Sequence, residues 1–240
     1  VTPEDAKLPG WFDNQEYPAF YQAIKAGGYA DIFSEALLIL NNNPGAEPTK
    51  RAMREVNRAI VKFLADNPWN STLDQLVEYY PAQLLSDLAL ELWKNLKTDE
   101  AAVLYEKILK RYPLDAESCH KALFFLGRIY EDKKLYDKSL EYYQRLLNQY
   151  NSGTYTLMTL MKIPWVKRLQ KRYKEAEEDF KSLLETYSKF VRVDKSKAPF
   201  SIFNAHLAAV RYWLARTLEA QGKSDEKKLQ QKKMIEELPF

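Results

Sequence analysis

The chain has 240 residues, 46% of them apolar and 13% aromatic, with a formal net charge of +3. That is ample apolar material for a core, which excludes a disordered chain; seven glycines, against a typical share of about 7%, are too few for the turns of a sheet protein. No stretch approaches the ~18 uninterrupted apolar residues of a membrane span, and a single cysteine excludes an internal disulfide.

Good helix formers dominate, and every apolar pattern has a helical period, so an all-α protein of about ten helices is expected. In chain order, YPAFYQAIKAGGYADIFSEALLILNNNPG (17–45) reads as helix, turn at Gly27-Gly28, helix, with Pro44 closing. TKRAMREVNRAIVKFLADNP (49–68) adds a helix with Thr49 as its N-cap, and STLDQLVEYYP (71–81) a shorter one capped by Ser71 or Thr72. The same capping role accounts for Asn70-Ser71-Thr72, which also fits a glycosylation acceptor pattern. Residues 1–80 are read as an irregular N-terminal helical cap.

From residue 81 the pattern becomes regular, and residues 81–240 are read as one continuous run of repeats. KALFFLGRIYEDKKLYDKSLEYYQRLLNQY (121–150) places Leu123, Leu126, Gly127 and Tyr130 on one side of a first helix, and Leu135, Ser139, Tyr143 and Leu146 on one side of a second. The joint between them, EDKK, is too short for anything but an antiparallel hairpin, yet contains neither glycine nor proline. A shift of 38 residues lays this unit on the preceding one: Ala89 on Gly127, Ala101 on Ser139, Tyr105 on Tyr143, Ile108 on Leu146. Small residues at Gly127/Ala89 and Ser139/Ala101 let the two backbones approach, while larger neighbours fill the ridges. LMKIPWVKRLQKRYKEAEEDFKSLLETYSKF (160–190) fits in its second helix, through Ala176, Phe180 and Leu183. Pro164, however, occupies the small position of its first, so that helix is bent or begins at Pro164. Lys189 to Ser201 reads as a loop or linker. The last unit, from Tyr212, carries Leu214, Ala215, Leu218 and Met234, with polar Lys227 and Gln231 where apolar residues are expected.

This order of apolar, small and aromatic positions closing on a proline resembles the tetratricopeptide repeat, most clearly over 85–150. The resemblance implies an α-solenoid of tetratricopeptide-like helical hairpins following the N-terminal cap. The phrases KALFFLGRIYEDKKLYDKSLEYYQRLLNQY and RYWLARTLEAQGKSDEKKLQQKKMIEELPF are further similar to the superhelical, non-catalytic domain of soluble lytic transglycosylases. That resemblance implies a periplasmic scaffold that positions cell-wall peptidoglycan for a catalytic domain following residue 240 and missing from this chain. The chain also resembles envelope assembly lipoproteins and cell-division coordinators, which implies the alternative of an adaptor that binds a protein partner.

Little in the sequence carries chemistry. His120 and His206 are far apart and accompany no metal-ligand spacing, so no metal is expected. No phosphate loop or nucleophile motif occurs, so no cofactor or nucleotide is expected. Cys119 is read as a buried, inert residue, His120 as a helix-terminus residue, and Glu117-Ser118 as part of an N-cap rather than as a catalytic pair. No catalytic residue is assigned.

What remains is a surface. Residues 1–120 carry 12 basic against 18 acidic side chains and residues 121–240 carry 24 against 15, so the second half has a net charge of +9. Lysines alternating with glutamates, as in KRYKEAEEDFKS, fit a solvated helix face better than a nucleic-acid site. In stacked hairpins the first helices line the concave face, where the register places Lys121, Phe124, Arg128, Tyr212, Arg216 and Glu219. The recurring pairs Phe124/Arg128 and Tyr212/Arg216 suit stacking on a ring or holding a carboxylate.

Overall fold

The computed structural model describes residues 28–42, 47–150, 152–190 and 202–237, together with positions 19, 22, 23 and 26. Among them are eleven helices and no strand. In chain order they are α1 Tyr29–Asn42, α2 Glu47–Asp66, α3 Ser71–Glu78, α4 Ala82–Lys94, α5 Thr98–Arg111 and α6 Ala116–Asp132. There follow α7 Tyr136–Gln149, α8 Thr154–Leu169, α9 Tyr173–Phe190, α10 Ile202–Ala220 and α11 Ser224–Glu237. The fold is all-α, built from tetratricopeptide-like hairpins behind a less regular N-terminal group. By its contacts the chain forms two units, residues 1–125 and 126–240. Their boundary falls inside α6.

The hairpins α4–α5, α6–α7, α8–α9 and α10–α11 share one turn. Each first helix ends with a residue in the left-handed region: Leu96 (φ 62°), Lys134 (59°), Lys171 (62°) and Gly222 (75°). Around each, the next amide reaches back five residues: Lys97 N–H to Leu92 O (2.9 Å), Leu135 to Tyr130 (2.8 Å), Arg172 to Lys167 (2.9 Å) and Lys223 to Leu218 (3.0 Å). This is the Schellman closure that satisfies the last carbonyls of a helix. It also explains how EDKK turns the chain without glycine: Lys134 takes the strained conformation, and hydrogen bonds hold it there.

In the first unit, α1 packs on α2 and α3, and α2 on α4. Tyr29, Phe33 and Phe63 meet edge-on or stacked, with ring centroids 5.4–6.2 Å apart. The buried Tyr80 hydroxyl donates to Asn57 Oδ1 (3.0 Å), and Tyr112 donates to the Tyr80 carbonyl (2.6 Å). Two expected caps shift. Helix α3 is capped by the Asn70 side chain, which accepts from Leu73 N–H at 3.1 Å, one residue before Ser71. Helix α2 begins at Glu47, leaving Thr49 inside its first turn. The turn at Gly27 lies outside the described residues; Gly28 accepts the first helical bond of α1, from Ile32 N–H at 3.0 Å.

In the second unit, α7 packs on α8, α8 on α9 and α9 on α10. Its core includes Ala176, Phe180, Leu183, Tyr187, Leu207, Val210, Leu214 and Leu218. Helix α8 does not start at Pro164. It starts at Thr154, after Gly153 (φ 109°), and runs through a buried Pro164. Its sequence hides it, because its apolar residues are distributed around the helix without a clear stripe and the proline reads as a break. Helix α9 extends to Phe190, so Lys189 is helical; residues 191–201 lie outside the described residues.

Candidate functional site

The six residues placed by register on one face do not share one environment. Lys121 is an ordinary ion-pair partner, its Nζ 3.3 Å from Asp87 Oδ1. Phe124 is not a surface residue: it is 2% exposed and packs edge-on against Phe125, at 5.4 Å between centroids. Burial of its apolar area outweighs the register. Arg128 is half-buried. Tyr212 is 45% exposed, and Arg216 and Glu219 are exposed and paired at 2.6 Å, with Glu219 also held by Lys227 at 2.5 Å. The polar Lys227 thus faces an acid instead of an apolar neighbour, and with Arg211, Tyr212, Ala215, Arg216, Gln231 and Met234 it lines a cleft of about 210 Å³.

Cys119 is buried, with Sγ 3.2 Å from the Tyr112 carbonyl. Asp115, not Glu117, caps α6, accepting from Ser118 N–H at 2.9 Å. His120 is half-buried, and burial lowers its pKa. Among the described residues no cluster of His, Cys, Asp or Glu could hold a metal ion, and no helix is long and apolar enough to cross a membrane.

The most developed polar arrangement lies on the first helices of the second unit and centres on Glu131, at the end of α6. Glu131 Oε1 accepts from Lys162 Nζ (2.9 Å) and Trp165 Nε1 (3.0 Å), both on α8, and Oε2 accepts from the Tyr143 hydroxyl on α7 (3.0 Å). Burial first, then the Glu131 charge, raises the Tyr143 pKa, so that phenol is a fixed donor. Burial lowers the Lys162 pKa; Glu131 opposes this, and Arg128 and Asp132 act on the same ammonium as neighbouring charges. The Trp165 indole then meets Trp213 of α10 at 4.3 Å, and Trp213 meets Tyr212 edge-on at 4.8 Å. Arg168, in the last turn of α8, lies over both indoles, its Cζ 5.5 Å from the Trp165 ring and 5.6 Å from Trp213.

Of the expected residues, this arrangement includes Arg128 and Tyr212; Glu131, Lys162, Trp165, Arg168 and Trp213 are additions. The signal for two of them existed in the repeat. The left-handed turn residues advance by 37 from Lys134 to Lys171, and the same step carries Arg128 to Trp165 and Glu131 to Arg168. A further 51, from Lys171 to Gly222, leads to Arg216 and Glu219. Pro164 concealed this register in the middle repeat.

Comparison with known proteins supports the repeat. The tetratricopeptide-repeat family model matches residues 86–154, from within α4 to the start of α8. No curated protein matches the chain in sequence. Among solved structures, a tetratricopeptide repeat protein from Parabacteroides merdae aligns over 93% of this chain and 80% of its own, with 14% identity and a TM-score of 0.53. BtubC (BKLC) from P. vanneervenii aligns over 92% and 84%, with 15% identity and a TM-score of 0.56. A Podosopora anserina protein of nearly identical TPR-like repeats aligns over 88% and 95%, at 15% and 0.55. At these identities the likeness is one of fold. The chain carries a tetratricopeptide-like repeat domain.

Proposed function

We propose that this protein is a protein-interaction scaffold whose first-helix face in residues 126–240 receives a partner polypeptide. The observation that carries this reading is the Trp165–Arg168–Trp213 stack. Two indoles and a guanidinium are held half-exposed on neighbouring first helices, and tryptophan and arginine are the side chains that anchor protein interfaces most strongly. Tandem helical repeats offer extended surfaces for such contacts.

Site-specific photocrosslinking tests this. A photoreactive phenylalanine analogue at exposed Tyr212, in the full chain in its native cell, should trap one discrete polypeptide. The same probe at exposed Arg145, on second helix α7, should not. An identical pattern from both positions, or no adduct from either, overturns the scaffold reading.

The narrower reading, a non-catalytic domain of a lytic transglycosylase that holds peptidoglycan in the periplasm, draws on the same half-exposed indoles, which suit sugar rings. Its support is the similarity of sequence phrases, and the family match reaches only the general repeat. Co-sedimentation with purified sacculi, lost on Trp213→Ala, would favour it over a polypeptide partner.

A further inference from the structure

We infer that the Trp165–Arg168–Trp213 stack binds a side-chain carboxylate, so that the polypeptide received by this face is an acidic internal segment carrying an apolar residue beside its acid. This rests on the scaffold reading above and names the partner's chemistry.

The Arg168 guanidinium makes no ion pair or hydrogen bond with a protein acceptor among the described residues, and its Nε is covered and unsatisfied. It lies instead over the two indole rings. Guanidinium stacked on aromatic rings keeps its in-plane N–H edge for a further acceptor, and the fork geometry of that edge matches a carboxylate. Glu131 does not supply the acceptor: its two oxygens are turned to Tyr143, Lys162 and Trp165, and rotating it toward Arg168 would strand the buried Tyr143 hydroxyl and the Lys162 ammonium. The countercharge to Arg168 therefore comes from outside.

The apolar half of the ligand follows from what adjoins the guanidinium. Trp165, Trp213 and the 45%-exposed Tyr212 form a continuous aromatic bed beside it. A peptide that places an acid on Arg168 lays its neighbouring side chain on these rings, where the buried apolar area adds to the ionic contact. One uncompensated guanidinium beside three rings differs from the row of cations that a nucleic-acid backbone requires.

The test uses the full chain and an eight-residue peptide, N-acetylated and C-terminally amidated, alternating glutamate with phenylalanine and serine and labelled for anisotropy. Binding should weaken as salt rises. Arg168→Ala should weaken it at least tenfold and Arg168→Lys by less, while Arg145→Ala should change it by less than twofold. A glutamine-for-glutamate peptide should bind at least tenfold more weakly. If Arg168→Ala loses helical circular dichroism, Arg168→Met, which keeps the stem over the indoles, replaces it. Equal loss from Arg145→Ala and Arg168→Ala, equal binding of the glutamine peptide, a requirement for a free C-terminal carboxylate, or displacement by an equal concentration of a twelve-residue oligo-dT each overturns the inference. A crosslink from position 212 without affinity for the acidic peptide overturns only this inference; loss of both overturns the scaffold reading too.

Discussion

Gly127 lies directly against the ring of Tyr143. A Cβ at position 127 would stand 2.8 Å from Tyr143 Cζ and closer still to Cδ1 and Cε1, distances side-chain carbons do not adopt. The Ser139 hydroxyl closes the same contact by donating to the Gly127 carbonyl at 2.8 Å. Sequence spacing already pairs Gly127 with Ser139 as the small residues of the α6–α7 hairpin; the structure adds that the ring opposite is locked, because its hydroxyl is bonded to Glu131.

Gly127→Ala should therefore destabilise the protein by about 1–3 kcal/mol, and Gly127→Leu by more, since the Tyr143 ring has no room to give way. Thermal unfolding followed by circular dichroism checks this. An unchanged Tm for both variants would refute the contact.

The left-handed turn residues predict the opposite sign. Leu96 is 86% exposed at φ 62°, so its side chain contributes almost no packing while its backbone is strained. Leu96→Gly should relieve part of a penalty of about 1–2 kcal/mol, offset by the greater freedom of glycine in the unfolded chain. The expected outcome is a small rise in Tm. Gly222→Ala, at φ 75° in open space, should lower it for the same backbone reason.

Glu177, buried on α9, predicts the acid limb of stability. Burial pushes its carboxyl pKa up, but Lys181 (2.6 Å), Lys223 (2.7 Å) and Gln221 (2.7 Å) outweigh this and hold it at about 2. A carboxyl whose pKa is depressed on folding stabilises the fold above its unfolded value of about 4.3, and that contribution disappears as pH falls through about 2. After allowance for solvent around the two lysines it is on the order of 2 kcal/mol. Denaturation midpoints at pH 5 and pH 2.5 should differ less in Glu177→Gln than in wild type; an equal difference counts against this assignment.

The Glu131 network predicts an asymmetry between its ends. Glu131→Ala leaves the Tyr143 hydroxyl, the Trp165 N–H and the Lys162 charge without their acceptor, and should cost about 3 kcal/mol or more. Lys162→Met removes a half-buried cation whose own desolvation opposes the pair, and should cost under ~1 kcal/mol. Denaturant titration of both variants, with tryptophan emission reporting the loss around Trp165, measures the difference. Equal costs would show that Glu131 serves Lys162 alone.

The helical class, the hairpin unit and the small-residue pairs are legible in the residues alone. Each of these is a local consequence of periodicity: residues such as Leu123, Leu126 and Tyr130 must share a helix face, and Gly127 must meet a partner helix wherever that helix lies. Packing between helices sets what local pattern cannot encode. It carried α8 through Pro164, because packing on both neighbouring helices outweighs one lost hydrogen bond. It buried Phe124 while leaving Tyr212 exposed at the equivalent register, because an aromatic ring's environment depends on which elements surround it. It also brought Glu131, Trp165, Arg168 and Trp213, from three separate helices, within contact distance. No spacing in the chain expresses that proximity, since it arises only when successive first helices stack side by side and their outward residues become neighbours.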